Sequence, residues 1–173
     1  ITIELKKAVS QRYEVFAQKP QKKLLFNADG QMLFTMKPDI YVKDIKSKVP
    51  MCILDTKWKL LSKDERKMGV SQADLYQMYT YAGAYDVSKV MLVYPKQLAS
   101  YIPDSLWSFI GEQRTLEVVQ VDLEKVLNGR RKFRQYLAEL FLPKFDTAEG
   151  VELCCGGNRA QLPPLYRISA KTA

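Results

Sequence analysis

Ile53-Leu54-Asp55-Thr56-Lys57-Trp58-Lys59 is an apolar run that passes abruptly into acid, hydroxyl and base. Read as the end of a strand over residues 50–57, it sends alternate side chains to opposite faces. Asp55 and Lys57 then share one face, about 6.6 Å apart, with Leu54 and Thr56 on the other. Such a strand has an apolar body for a sheet and a charged tip for chemistry. Upstream, Lys37-Pro38-Asp39-Ile40-Tyr41-Val42 sets a second aspartate among strand formers. Residues 43–50 form a basic, polar turn between the two segments, so they are expected to pair antiparallel and to place Asp39 and Asp55 on adjacent strands.

Working towards the N-terminus, Leu24-Leu25-Phe26 and residues 31–36 flank Asn27-Ala28-Asp29-Gly30, where Asp-Gly supplies the positive φ of a hairpin turn. The second arm is expected to run on to Val42, with Pro38 removing a ladder donor and marking an edge or bulge just before Asp39. Ahead of the hairpin, Leu5, Val9, Tyr13 and Phe16 recur at helical spacing and predict a first helix that carries Glu14 beside its apolar stripe. A solvated glutamate is the ordinary reading of that position.

Towards the C-terminus, Ser71-Gln72-Ala73-Asp74 reads as a capping box opening a helix that reaches about Tyr85. Residues 89–94 read as a buried strand closed by Pro95, and residues 115–121 as a further strand. Helical segments are expected over 122–127 and 130–141. From Asp146 onward, with Gly156-Gly157 and Pro163-Pro164, an irregular tail is expected. The order of helix, three meandering strands, crossover helix and strand predicts an α/β fold around one central mixed sheet.

The 173 residues fit one domain, read as 1–145 plus the tail 146–173, and a 47% hydrophobic content is enough for a proper core. A formal charge of +8 and a pI near 9.3 suit an anionic partner. Cys52 and the pair Cys154-Cys155 offer neither a repeated metal spacing nor a disulfide framework, which points to a reducing cytoplasm. No apolar run reaches the roughly 18 residues of a membrane span. Histidine is absent. That excludes Ser-His and Cys-His triads and histidine-bearing zinc sites within the chain. Chemistry must come from carboxylates, lysine, hydroxyls and a hard metal.

Magnesium takes oxygen ligands in an octahedron and usually accepts only one or two protein carboxylates. Asp39 and Asp55 meet that requirement, with the Thr56 carbonyl as a third ligand. Lys57 beside them could orient or deprotonate a water nucleophile if a nearby cation lowers its pKa from about 10.4. The reaction this implies is in-line hydrolysis of a phosphodiester. The ordinary alternative is a surface ion pair between Asp55 and Lys57, which leaves the aspartate after Pro38 unexplained.

Pro38-Asp39, Asp55-Thr56-Lys57 and the helix after them resemble the PD-(D/E)xK nuclease superfamily, whose core runs helix, three strands, helix, strand. Gln77-Met78-Tyr79-Thr80-Tyr81 is similar to the Gln-x-x-x-Tyr motif of its RecB-like branch, in which both side chains face the active site. Gln72 and Tyr76 have the same spacing, but on a helix of 3.6 residues per turn they point about 140° away from Gln77 and Tyr81. The closest resemblance is to the McrC family, nuclease subunits of restriction systems directed at modified cytosine such as 5-methylcytosine. Tyr13-Glu14-Val15-Phe16, Lys37-Pro38-Asp39-Ile40, the stretch 53–59, the stretch 71–82 and Leu92-Val93-Tyr94-Pro95 carry it, across residues 13–95. It implies a magnesium-dependent DNA endonuclease, with manganese as a substitute, in which Asp39, Asp55, Lys57, Gln77 and Tyr81 are catalytic. Asp39, Asp55, Thr56 and, through water, Glu14 would hold metal. It also implies double-stranded DNA and a McrB-like AAA+ GTPase as partners, and a partner-binding region ahead of residue 1. Lys43, Lys46, Lys48, Lys59 and Lys63 are expected to contact DNA phosphates near the site. A RecB-like exonuclease, a junction-cleaving relative or a non-catalytic DNA-binding or assembly module of the same fold are the alternatives.

Overall fold

The computed structural model describes residues 1–96 and 102–146. The expected irregular tail, with Cys154 and Cys155, lies outside the described residues. The sheet that carries the stretch 53–59 has six strands in the order β1-β4-β5-β6-β8-β7. Here β1 is Tyr13–Ala17, β4 Ile40–Asp44, β5 Pro50–Thr56, β6 Lys89–Pro95, β7 Ser105–Ser108 and β8 Thr115–Val121. β4 pairs antiparallel with β1 and β5, whereas β5, β6 and β8 run parallel. Parallel neighbours need a crossover. Helix α2, Gln72–Tyr85, supplies it between β5 and β6.

Helices cover both faces of this sheet, which explains why Met51 to Asp55 are buried without interruption. Leu54, Val42 and Val15 face α1, Thr2–Ala8, and α3, Arg130–Asp146, where Leu5, Leu137 and Phe141 complete one core. Ile53, Tyr41 and Leu92 face α2, where Met78, Ala82 and Tyr85 complete the other. Asp55 belongs in register with Ile53, so its side chain emerges on the α2 face at the carboxyl end of β5.

Four expectations are corrected. The first helix stops at Ala8, and Tyr13 to Ala17, read as its continuation, form β1. Tyr13 and Val15 alternate into the core while Glu14 and Phe16 point the other way, and pairing with β4 decides the matter. The hairpin exists as β2, Lys22–Phe26, and β3, Met32–Met36, turning at Gly30 with φ 77°, but it is a separate two-stranded sheet. Its second arm ends at Met36, because Lys37-Pro38-Asp39 interrupts the strand before β4 begins. Residues 123–128 form a 3₁₀ turn, and α3 runs five residues further than the stretch 130–141 read from the sequence, through Pro143. Edge strand β7 escaped the reading. The α/β architecture around one mixed central sheet stands, but the strands of that sheet ahead of α2 are β1, β4 and β5 rather than the three meandering strands read from the sequence.

Candidate active site

β4 begins where β5 ends, so Ile40 pairs with Leu54 and the residues just outside that pair, Asp39 and Asp55-Thr56, meet at one edge of the sheet. Asp39 turns back onto β5. Its Oδ2 accepts hydrogen bonds from the Thr56 amide at 2.9 Å and from the Thr56 hydroxyl at 2.6 Å. The carboxylate thus replaces the ladder partner that Pro38 and the break in β4 have removed. Oδ1 of Asp39 takes no hydrogen bond from a described residue and is left for a ligand.

Asp55 is 5% exposed and its Oδ2 lies 2.6 Å from Lys57 Nζ. Burial raises its pKa, the Lys57 ammonium offsets only part of that, and the neighbouring Asp39 and Asp74 carboxylates push the same way as burial. Lys57 is a shared cation. Nζ also reaches Asp74 Oδ1 at 3.0 Å and donates to Gln77 Oε1 at 3.0 Å. Burial works to lower its pKa, but the hydrogen bonds to Asp55 and Asp74 outweigh it and leave the pKa raised. These hydrogen bonds favour the ammonium form of Lys57, which acts as a donor and a positive charge toward Asp55, Asp74 and Gln77.

Gln77 and Tyr81 stand one turn apart on α2, and Gln77 Nε2 donates to Tyr81 Oη at 3.2 Å. Tyr81 Oη donates in turn to the Lys37 carbonyl at 3.1 Å. The alternative pair does not reach the site: Gln72 and Tyr76 bond to each other on the outer face, with Tyr76 exposed.

Two further residues stand beside this cluster without a site role in the sequence reading. Asp74 was explained by the cap, and it does receive that role, its amide donating to Ser71 Oγ at 3.1 Å. Its carboxylate also bridges Lys57 and Lys59, the latter at 3.1 Å. Burial would raise its pKa, yet hydrogen bonds from Ser71, Lys57 and Lys59 hold it down at about 2. Tyr94, at the end of β6, is buried with no described partner for its hydroxyl. Burial raises its pKa, and the Asp74 and Asp55 carboxylates add to the rise.

Asp74 gives a pH prediction. A carboxylate whose folded pKa is below its unfolded value stabilises the fold above the unfolded pKa and loses that contribution as pH falls through the folded one. Asp74→Asn should lower stability near neutral pH by about 2 kcal/mol, the equivalent of a shift from the usual range to about 2. Urea melts at stepped pH should show the gap closing from about pH 4 downward. A gap that stays constant down to acid pH would remove the charge from the explanation.

The structure separates several residues from this cluster. Glu14 lies on β1 rather than on a helix, opposite Lys43 and 3.6 Å from Lys48. That register is four strand positions, about 13 Å, from the level of Asp39. Lys43, Lys46 and Lys48 lie at the β4–β5 turn, at the opposite end of β5 from Asp55. Lys59 is at the site through Asp74, and Lys63 is exposed in the loop beyond it.

Comparison with protein families now bears on this geometry. The family model described as McrBC 5-methylcytosine restriction system component matches residues 1–95, more than half of the chain and all of the elements that build the cluster. The chain belongs to this family. A search of curated proteins finds no match. Among solved structures, the refined half-complex from the tetradecameric assembly of Thermococcus gammatolerans McrB AAA+ hexamers with bound McrC contains a chain of similar fold, with a TM-score of 0.53 and 17% identity. The similarity covers 79% of this chain and 30% of that one. Among the described residues no helix is long and apolar enough to cross a membrane.

Proposed function

We propose that this chain carries the metal-dependent endonuclease of an McrC-type subunit, a PD-(D/E)xK fold that hydrolyses phosphodiester bonds in double-stranded DNA. The observation that carries the reading is the meeting of Asp39, Asp55, Lys57, Gln77 and Tyr81 at one sheet edge from three separate segments. Among the described residues no group of three or more His, Cys, Asp or Glu is placed to hold a metal. Magnesium needs fewer, completing its shell with carbonyl, water and phosphate oxygens. The free Oδ1 of Asp39, the carboxylate of Asp55 and the Thr56 carbonyl form a hard, all-oxygen donor set that fits it.

A divalent cation held there supplies charge for the phosphate oxygens and lowers the pKa of a bound water. The chain's own groups do the rest. Asp39 is fixed by Thr56, so its free oxygen is preorganised. Lys57, held as an ammonium by Asp55, Asp74 and Gln77, places positive charge beside the scissile phosphate. Gln77 and Tyr81 set the direction of that ammonium. The +8 charge favours a polyanionic substrate. The family description supports 5-methylcytosine as the modified base, and the fold similarity to a chain of a McrB–McrC assembly supports a McrB-like GTPase as the partner.

The test is cleavage of methylated and unmethylated plasmid by the whole subunit that carries this chain, with a McrB-like partner and GTP, and with magnesium, manganese or chelator. Cleavage that requires both the divalent ion and methylation is expected. Undiminished cutting in chelator would end the metal assignment, and no cutting under any condition would favour a non-catalytic DNA-binding module.

A further inference from the structure

The hairpin β2–β3 is inserted between β1 and β4 yet joins no strand of the central sheet. Every residue of β2 and all but the last of β3 are exposed. Phe26 and Met32, paired at its outer end, are 78% and 69% exposed, and Phe34, nearer the root, is 68% exposed, with Leu24, Leu25 and Leu33 exposed as well. Apolar surface concentrated like this on a soluble domain marks an interaction site. Phe34 also holds φ at 54°, a left-handed conformation costly for an aromatic residue, and strain of that kind gathers at ligand clamps.

The root of the hairpin is fastened while its tip is bare. Tyr85 Oη contacts the Pro20 carbonyl at 2.7 Å and the Met36 carbonyl at 3.1 Å. Lys22 Nζ donates to the Ala84 carbonyl at 2.6 Å. A line of hydrogen bonds then runs from the root into the active site, from the Lys37 carbonyl through Tyr81 and Gln77 to Lys57. Two residues beyond Lys37 is Asp39. Whatever the hairpin grips is presented to the carboxylates.

Charge identifies the occupant. Between Gln18 and Pro38 there are Lys19, Lys22, Lys23 and Lys37 against the single acid Asp29. A second copy of this basic chain would meet like charge there, whereas a nucleic-acid duplex meets lysines for its phosphates and an apolar tip for its bases. Phe, Leu and Met side chains are used as wedges against base steps by proteins that grip a duplex in this way.

We propose that hairpin β2–β3 is a duplex-gripping arm, whose lysines contact phosphates and whose Phe26, Met32 and Phe34 press between base steps next to the phosphate to be cut. This rests on the nuclease reading above and adds to it the element that holds the substrate. In an Asp55→Asn background, the whole chain should be titrated with a short fluorescent duplex, and with one carrying 2-aminopurine to report unstacking. Phe26→Ser with Phe34→Ser should weaken binding at least about tenfold and abolish the unstacking signal, with an unchanged thermal melt because both side chains are in solvent. Lys19→Gln with Lys23→Gln should weaken binding and reduce the salt slope by about one per lysine lost from a phosphate. Parent-like affinity in both pairs overturns the arm and leaves the nuclease standing. So does a tip variant that binds DNA normally but loses self-association in sedimentation, which would make the hairpin a protein-facing surface. A parent chain that neither binds nor cuts duplex in the presence of metal and partner defeats both proposals.

Discussion

Asp55→Asn should bind duplex DNA as tightly as the parent chain and cleave it at least about 1,000-fold more slowly. Asparagine keeps the shape and an acceptor oxygen for Lys57, so the ammonium stays between positions 55, 74 and 77. What disappears is the negative charge that a hard cation requires. The fold should not suffer. Burial raises the Asp55 pKa, so ionising it works against the folded state once pH passes the usual carboxylate range, and a neutral residue there avoids that cost. At neutral pH the variant should melt at or above the parent. Single-turnover cleavage and a thermal melt on the same preparation separate the two effects. Cleavage within a few-fold of the parent would rule out Asp55 as a site residue, and a large fall in melting temperature would make lost activity uninformative about chemistry.

How much of this was legible before the structure depends on the kind of signal. β5, α2 and β6 were readable because each has one dominant pattern: an unbroken apolar run for a strand covered on both faces, and a cap followed by helical spacing for the crossover. Asp55 and Lys57 at the end of β5 and Asp39 just ahead of β4 followed from the strand ends, whereas Gln77 and Tyr81 on α2 were singled out by the resemblance to the Gln-x-x-x-Tyr motif. The stretch 13–17 failed because Val9, Tyr13 and Phe16 satisfy a helical stripe while Tyr13 and Val15 equally satisfy alternation, and only the partner strand distinguishes them. Glu14 was raised to a metal candidate by the family resemblance, which set it on a first helix where the structure has β1. Lys43, Lys46 and Lys48 were expected near the site for a different reason. They are close to Asp55 in sequence, but a seven-residue strand carries the chain about 23 Å, so the turn before β5 lies far from its tip. Asp74 and Tyr94 carried no separate signal. A capping acid and a buried aromatic already had sufficient explanations, and their positions beside the cluster arise from which elements pack together.

Replacing Lys57 with methionine should lower cleavage by about 100-fold or more, the range for losing a positioned group that acts on the reacting atoms. It should also change the protein's response to metal in the opposite direction. In the structure Lys57 holds the Asp55 oxygen at 2.6 Å, so ammonium and divalent ion compete for the same carboxylate. Without the ammonium, Asp55 is a buried charge with no cation beside it, and removing one partner of a buried pair is destabilising. The ion-free variant should therefore melt below the parent. Manganese should raise its melting temperature more than it raises that of the parent, and calorimetry should show binding about tenfold tighter, equivalent to about 1.4 kcal/mol. A merely structural role for Lys57 predicts the loss of stability without the gain in affinity. If manganese bound parent and variant alike, Lys57 and the metal would not share Asp55, and the ion would have to be held by Asp39 and Thr56 alone.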